Sequence, residues 1–426
     1  MVKVDHCTGD NAEVQQAVDG RFVYEVWLFC GLRATIGFAR SADHGGTFGP
    51  TVQVPGSAER FTSGEVDYSW DPAIAVSRRG TIYVVYMRQA HGRMFPKVAI
   101  STNHGESFRR VVSLGSPVVG NFADRPFIAT GSAGRVYVTW DYGPSAARLR
   151  ETCAKGGSCS FSHGDLNAVM RSSHDGGRSW GPMEHVSPGY PHGGVDMAPI
   201  VVEPGGRLAV LFQRLPTNPA TYRLRPGNEW FTSSSDQGRA WSRPVRAGWP
   251  DRTIALSTWW IDCSLARDGA GHLYAVWDTQ GTRGDVGWLA SSADGGRTWS
   301  RPLRATPDHD AAMHLLAVAG AGRHGAYVSW LTDASPRGYA LWARRFSLHR
   351  GWVGRPVRVS SRYGDPKVWP GDTIGVAALP GGTGGKSRQS VILSWGSALA
   401  GEPQRCYGIP AVHPCGEIWS SIVRFH

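Results

Sequence analysis

Eight residues stand out for the chemistry they would do together: Glu13, Asp71, Asp124, Arg125, Asp196, Asp262, His314 and Asp372. Each lies at or just ahead of the start of a short apolar run, as in Asp71-Pro72-Ala73-Ile74-Ala75-Val76. Carboxylates gathered at one place push one another's pKa apart, so that one holds a proton while another stays ionised. General acid–base cleavage of a glycosidic bond needs that division of labour. Asp71, Asp124 and Asp262 are the acid–base candidates. Arg125 offers a guanidinium that binds a substrate carboxylate through two parallel hydrogen bonds, with Asp196, His314 and Asp372 as further substrate contacts. The plainer reading of each position is structural, because a carboxylate at the head of a strand also caps free N–H groups.

Aromatic residues flank several of these positions: Tyr68 and Trp70, Trp259 and Trp260, Tyr363 and Trp369. Sugar rings stack their C–H faces on such side chains. Tyr68, Trp70 and Trp260 are therefore the expected sugar platforms, while packing between repeats is the competing role for any Trp. Cations expected on the same side include Arg88, His91, Arg93, Arg148, Arg150, Arg214, Arg223, Arg225, Arg283 and Arg337. Arg88 is counted among the substrate contacts.

These residues are positioned by a repeat. An apolar strand, a glycine turn and a β-rich strand ending in an aromatic recur seven times, most clearly at 71–86, 125–140 and 262–277. Runs rich in Val, Ile, Tyr and Trp with Gly between them are hairpins. An octapeptide, Ser-x-Asp/Asn-x-Gly-x-Thr/Ser/Ala-Trp/Phe, follows in five units, starting at Ser41, Ser101, Ser173, Ser234 and Ser292. Its Asp or Asn and its Gly supply a self-capping side chain and a residue free to take positive φ, which makes a tight turn. The final aromatic plugs that turn into the strand layer. A period of 58 to 72 residues marks an array of similar units.

This octapeptide resembles the Asp-box, or bacterial neuraminidase repeat, of the sialidase-like β-propellers. The resemblance implies an all-β propeller in which the box joins the third and fourth strands of each blade, on the face opposite the ligand site. It also implies activity on glycans. In that family three arginines hold the substrate carboxylate, an Asp is the acid–base and a Tyr–Glu pair the nucleophile. Asp124-Arg125-Pro126 is similar to the Arg-Ile-Pro motif of the first arginine, without the Ile and in the third unit instead of the first. The other family positions have no matching residue, so the resemblance reaches the superfamily and not the true sialidases.

The repeats predict seven four-stranded antiparallel blades in a single domain, with six, the number in true sialidases, as the alternative. The blades run approximately over 5–55, 66–115, 120–188, 192–247, 256–305, 310–360 and 363–426, with 1–4 closing the ring. The long connections Asp141 to Asn167, Gln213 to Trp230 and Gly396 to Gly416 fall on the face of the eight residues. Their unequal lengths favour one asymmetric site over equivalent sites in every blade.

A net charge of +11 favours anionic partners. No Lys/Arg block or RNA-binding signature points to nucleic acid, and no run of 18 apolar residues spans a membrane. Cys153 with Cys159 and Cys406 with Cys415 read as local disulfides, and Cys7 with Cys30 as a third, in an oxidising compartment. Zinc-ligand spacing is absent among them, and Cys263 reads as a buried thiol. The first residues, Met1 to Asp5, lack the apolar segment of a signal peptide, so the expectation is a secreted monomer whose export signal has been removed. No cofactor is expected; a structural calcium ion is compatible with the loops, although no EF-hand-like loop places it. The expected function is a secreted, sialidase-like glycoside hydrolase acting on an acidic or complex glycan. The alternatives are a polysaccharide lyase on a uronate, with His163, His192 or His314 and a Tyr at work, and a noncatalytic glycan-binding propeller.

Overall fold

The computed structural model describes the chain except for 32, 63–64, 144–150, 154–158, 162–165, 191–192, 217, 219, 221–226, 249–262, 282–283, 308–313, 381–388, 400–404, 407–408, 411–414 and 426. Seven antiparallel sheets form the blades of a β-propeller, each strand pairing with the next in sequence. Blade one is Ala12–Asp19, Phe22–Cys30, Thr35–Ser41 and Val52–Gln53, from the axis outward. The innermost strands of the next five are Glu65–Val76, Phe122–Thr130, the split pair Gly193–Asp196 and Ile200–Val202, Cys263–Arg267, and His314–Gly320. Blade seven consists of Gly375–Leu379, Gln389–Ser397, Glu417–Phe425 and, outermost, Val2–Lys3 from the other end of the chain. Val2 pairs with Ser420 and Lys3 with Trp419, leaving no strand edge open at the seam.

The apolar core lies between blades, not within them. Tyr83, Val85 and Met87 of blade two pack with Val136, Val138 and Trp140 of blade three, and the same alternation repeats around the ring. This packing is why the second strand of each blade reads as an almost continuous apolar run: both of its faces are covered.

The five octapeptides form one turn repeated. In the first, the Ser41 hydroxyl donates to Asp43 Oδ1 (2.6 Å), Gly45 N–H donates to Ser41 Oγ (2.8 Å) and Thr47 N–H to Asp43 Oδ1 (2.9 Å). Equivalent bonds recur at Ser101, Ser173, Ser234 and Ser292. The glycine in fifth place has φ between 80° and 93° at Gly45, Gly105, Gly177, Gly238 and Gly296. A Cβ there would also strike the preceding blade, lying 2.2 Å from Ile392 at Gly45 and 2.0 Å from Phe231 at Gly296. The motif is thus a clasp between blades as well as a turn.

Cys7 and Cys30 form a disulfide that ties the N-terminal segment to blade one. Cys415 is also disulfide-bonded. Cys153 and Cys159 face each other as partners in the hairpin Glu151–Cys153 and Cys159–Phe161. Their side chains and that of Cys406 lie outside the described residues. Cys263 is buried in the innermost strand of blade five. Among the described residues, no helix is long and apolar enough to cross a membrane.

Candidate active site at the hub

Four consecutive inner strands break their register in the same way. Glu13 (φ 53°), Asp71 (φ 45°), Arg125 (φ 50°) and Met197 (φ 57°) all adopt the left-handed conformation that only glycine takes without cost. The pairing slips between Ala12 and Gln15, between Trp70 and Ala73, and between Asp124 and Phe127, and the blade-four strand splits around Met197. A bulge re-aims the side chains beside it. Here the bulges gather those of blades one to four with Asp372 of blade seven. Non-glycine residues held in this region cost about 1–3 kcal/mol each and concentrate at functional sites.

Arg125 is the centre of the group. Only 5% of its side chain is exposed; its Nη2 donates to Asp372 Oδ2 at 2.7 Å and its Nε lies 3.9 Å from Asp196 Oδ1. Its backbone N–H donates to Asp71 Oδ2 at 3.3 Å. Burial opposes the charge on Arg125, yet Asp372, Asp71, Asp196 and Asp124 outweigh it and hold the guanidinium above its ordinary pKa. Burial, with Asp372 and Asp71 alongside, keeps the Glu13 carboxyl well above the usual carboxylate range. Asp71 is raised likewise by burial and by Asp124, against the pull of Arg125. Burial also raises Asp124, but Arg125, Asp71 and the Trp70 indole draw it back. The Trp70 Nε1–H donates to Asp124 Oδ1, and the Trp70 ring stacks on Tyr68 with centroids 4.7 Å apart. Asp71 and Asp124 are half-buried, whereas Glu13 and Asp372 are buried.

The hub therefore assembles Asp71, Asp124, Arg125, Asp196 and Asp372, with Trp70 and Tyr68 beside them. The sequence suggests Arg125 as a substrate-carboxylate binder, and in the fold its guanidinium is engaged by Asp372 of the protein itself. Arg88 stands apart as well: it is buried and donates to the carbonyls of Ser57 and Ala58 and to Ser69 Oγ, and it pairs with Asp67 at 3.3 Å. It fastens the crossing from blade one to blade two. Asp262 and Trp260 lie outside the described residues, as does the side chain of His314, which opens the inner strand of blade six.

Two hub acids were not foreseen in their final setting. Glu13 was noted only for its place in the repeat, and its φ gives no signal in a sequence without glycine there. Asp141, at the far end of the second strand of blade three, is fully buried and accepts the Met197 N–H at 2.9 Å. Burial and Asp196 raise it well above the ordinary carboxylate range. The available signal was a charged residue directly after a buried Trp, Trp140-Asp141, repeated at Trp277-Asp278.

Glu13, Asp71 and Asp372 each bring a carboxylate oxygen within 4.8 Å of the others. Such hard oxygen donors suit calcium in kind, but the Arg125 guanidinium already neutralises part of this charge.

The fold is shared with solved glycan enzymes. A polysaccharide lyase described as an ulvan lyase superposes with a TM-score of 0.59 at 11% identity, over 92% of each chain. An α-L-arabinofuranosidase from Fusarium graminearum gives 0.51 at 12% identity, covering 82% of this chain and 99% of its own. A protein of unknown function from Dyadobacter fermentans gives 0.55 at 15% identity, covering 84% of this chain and 95% of its own. No family model matches the sequence, and no curated protein matches it. At these identities the likeness is one of fold.

A group of arginines lies away from the hub. A cavity of about 820 Å³ opens on the opposite, turn-bearing face between blades two and three, lined by Arg78, Arg79, Arg109, Arg110 and Arg178 together with Asp175. It carries no acid–base pair. A smaller cavity of about 160 Å³ runs along the axis beneath the hub acids, lined by Gln15, Ala73, Phe127, Met197 and Thr373 among others.

Proposed function

We propose that this propeller is an extracellular carbohydrate-active enzyme, a glycoside hydrolase working at the hub mouth. The observation that carries this reading is the meeting of two neighbouring carboxyls at the hub, Asp71 against the Arg125 backbone N–H and Asp124 against the Trp70 indole. Asp71, raised by burial and by Asp124, is assigned as the general acid toward the leaving oxygen. Asp124, steadied by Arg125 and the Trp70 indole, is the readier to ionise. Hydrolysis also needs a carboxylate to activate water or attack the anomeric carbon. Among the described residues, Asp124 and the partly exposed Asp196 are available. The stacked Tyr68–Trp70 pair supplies an apolar platform at the rim.

The same electrostatics narrows the substrate. Among the described residues, the carboxyls of Asp71, Asp124, Asp196 and Asp372 act on one guanidinium, that of Arg125. With that guanidinium engaged by Asp372, it is not set to clamp a substrate carboxylate, so the reading favours a neutral sugar at the point of cleavage. The five arginines of the far cavity offer a place for an acidic stretch of a complex glycan.

A panel of neutral and acidic polysaccharides, assayed for reducing ends and for unsaturated products, tests this. Asp71→Asn should lose about 10²–10⁴-fold in kcat, and comparing Asp124→Asn with Asp196→Asn identifies the second carboxylate. Unsaturated product from a uronate polymer would establish a lyase instead. Saturable binding without turnover on any substrate would establish a glycan-binding protein.

A further inference from the structure

Far from the hub acids, the turn-bearing face of blades five and six carries a group of side chains with no part in the chemistry proposed above. Asp268, His272, His324 and His349 come from three different turns: the first hairpin turn of blade five, the first of blade six, and the turn between the last two strands of blade six. We propose that they form a binding site for a divalent transition-metal ion, zinc foremost, with the imidazoles of His272 and His324 as ligands, His349 adjoining them, and Asp268 as the group that orients His272.

Asp268 is fixed on all sides. Its side chain has no exposure. Its Oδ1 accepts the N–H groups of Ala270 (2.9 Å) and His272 (3.0 Å), and its Oδ2 accepts the Tyr274 hydroxyl (2.8 Å). The same Oδ2 lies 2.9 Å from His272 Nδ1. A carboxylate there selects the tautomer with the proton on Nδ1 and leaves the Nε2 lone pair of His272 for a metal. Metal-bound histidines are held by this carboxylate–imidazole arrangement, which also raises their basicity.

The spacing of the rings agrees. His324 stands between His272 and His349, with its centroid 5.1 Å from each. A zinc–nitrogen bond of about 2.0–2.1 Å puts a ring centroid about 3.2 Å from the ion, and two such rings at a tetrahedral angle stand about 5 Å apart. Asp268, His272 and His324 also each bring a ligand-type atom within 4.8 Å of the others. Imidazole donors select zinc, copper or nickel over calcium or magnesium.

The turns are already locked to one another. Gly269 N–H donates to Gly322 O at 2.8 Å, joining the blade-five turn to the first turn of blade six, and Leu348 N–H donates to His324 O at 2.9 Å, joining the two turns of blade six. The rings are thus brought together by backbone bonds before any ion arrives, and the bound ion would cross-link blade five to blade six. His272 is partly exposed, and His324 and His349 are exposed, so the ion has an open path and water completes its coordination.

The test uses the full chain freed of any affinity tag. Zinc is titrated calorimetrically, and cobalt(II) is followed by its visible ligand-field bands. One equivalent should bind, with the cobalt spectrum of a low-coordinate nitrogen site, and saturating zinc should raise the melting temperature. His324→Ala replaces an exposed turn residue and should fold; it should weaken zinc at least 100-fold and abolish the melting shift. Asp268→Asn should weaken it about 10–100-fold. Glu13→Gln, at the hub, should leave zinc affinity within threefold. The proposal is overturned if wild-type protein binds no zinc saturably, if His324→Ala keeps its affinity within threefold, or if Glu13→Gln abolishes binding while His324→Ala does not.

Discussion

Glu25 allows the seam of the ring to be tested through pH. It lies on the second strand of blade one with no exposed surface, and its Oε1 accepts the hydroxyl of Ser394 from blade seven at 2.7 Å. Its Oε2 meets no hydrogen-bond partner. Burial pushes the carboxyl up to about 8, although Ser394 and Ser420 pull the other way. An unfolded Glu titrates near 4.3. Because the folded value is the higher one, the contribution to stability is complete below about pH 4 and is lost as the pH rises through about 8. At about 1.4 kcal/mol per pH unit, the total is on the order of 3–5 kcal/mol. Glu25→Gln cannot ionise, but it buries an amide N–H₂ where Oε2 has no partner, a penalty of about 1–3 kcal/mol. The variant should therefore be less stable than wild type at pH 5 and more stable at pH 9, the two curves crossing between. Denaturant unfolding at each pH from 5 to 9 measures the difference. Asp5, also raised by burial, to about 7, is present in both proteins and cancels. A wild-type-minus-variant difference that stays constant across that range would refute the reasoning.

Three further outcomes follow from the same contacts. Arg125→Met leaves Asp372 buried opposite no cation, and should cost about 3–5 kcal/mol in unfolding experiments at pH 7.5. Adding Asp372→Asn should restore part of the loss. Gly296→Ala places a Cβ 2.0 Å from the Phe231 ring at a φ of 84° and should destabilise by about 2–4 kcal/mol, measured by denaturant midpoint. Removing the Cys7–Cys30 bond, by Cys7→Ser with Cys30→Ser, frees a loop with a sequence separation of 23 and should cost about 3 kcal/mol, seen as a lower melting temperature.

The amino-acid order alone determined the architecture. Turn chemistry is local: Ser, Asp or Asn, and Gly within eight residues specify a left-handed turn whatever surrounds it, and its repetition with seven hairpins implied a wheel of seven blades. The same order placed Asp71, Asp124, Arg125, Asp196 and Asp372 at the heads of the inner strands, because that position is counted along the chain. It did not foretell what those groups would do to one another. Whether Arg125 faces a ligand or Asp372, and whether Asp71 or Asp124 holds the proton, depends on distances across blades up to 247 residues apart in sequence. Those distances are set by bulges at Glu13, Asp71, Arg125 and Met197, residues with no intrinsic preference for positive φ. Only the closed ring holds them there, since packing from neighbouring blades outweighs the local cost of each bulge. The histidines at 272, 324 and 349 escaped notice for the same reason: nothing in their spacing pairs them until blades five and six stand side by side.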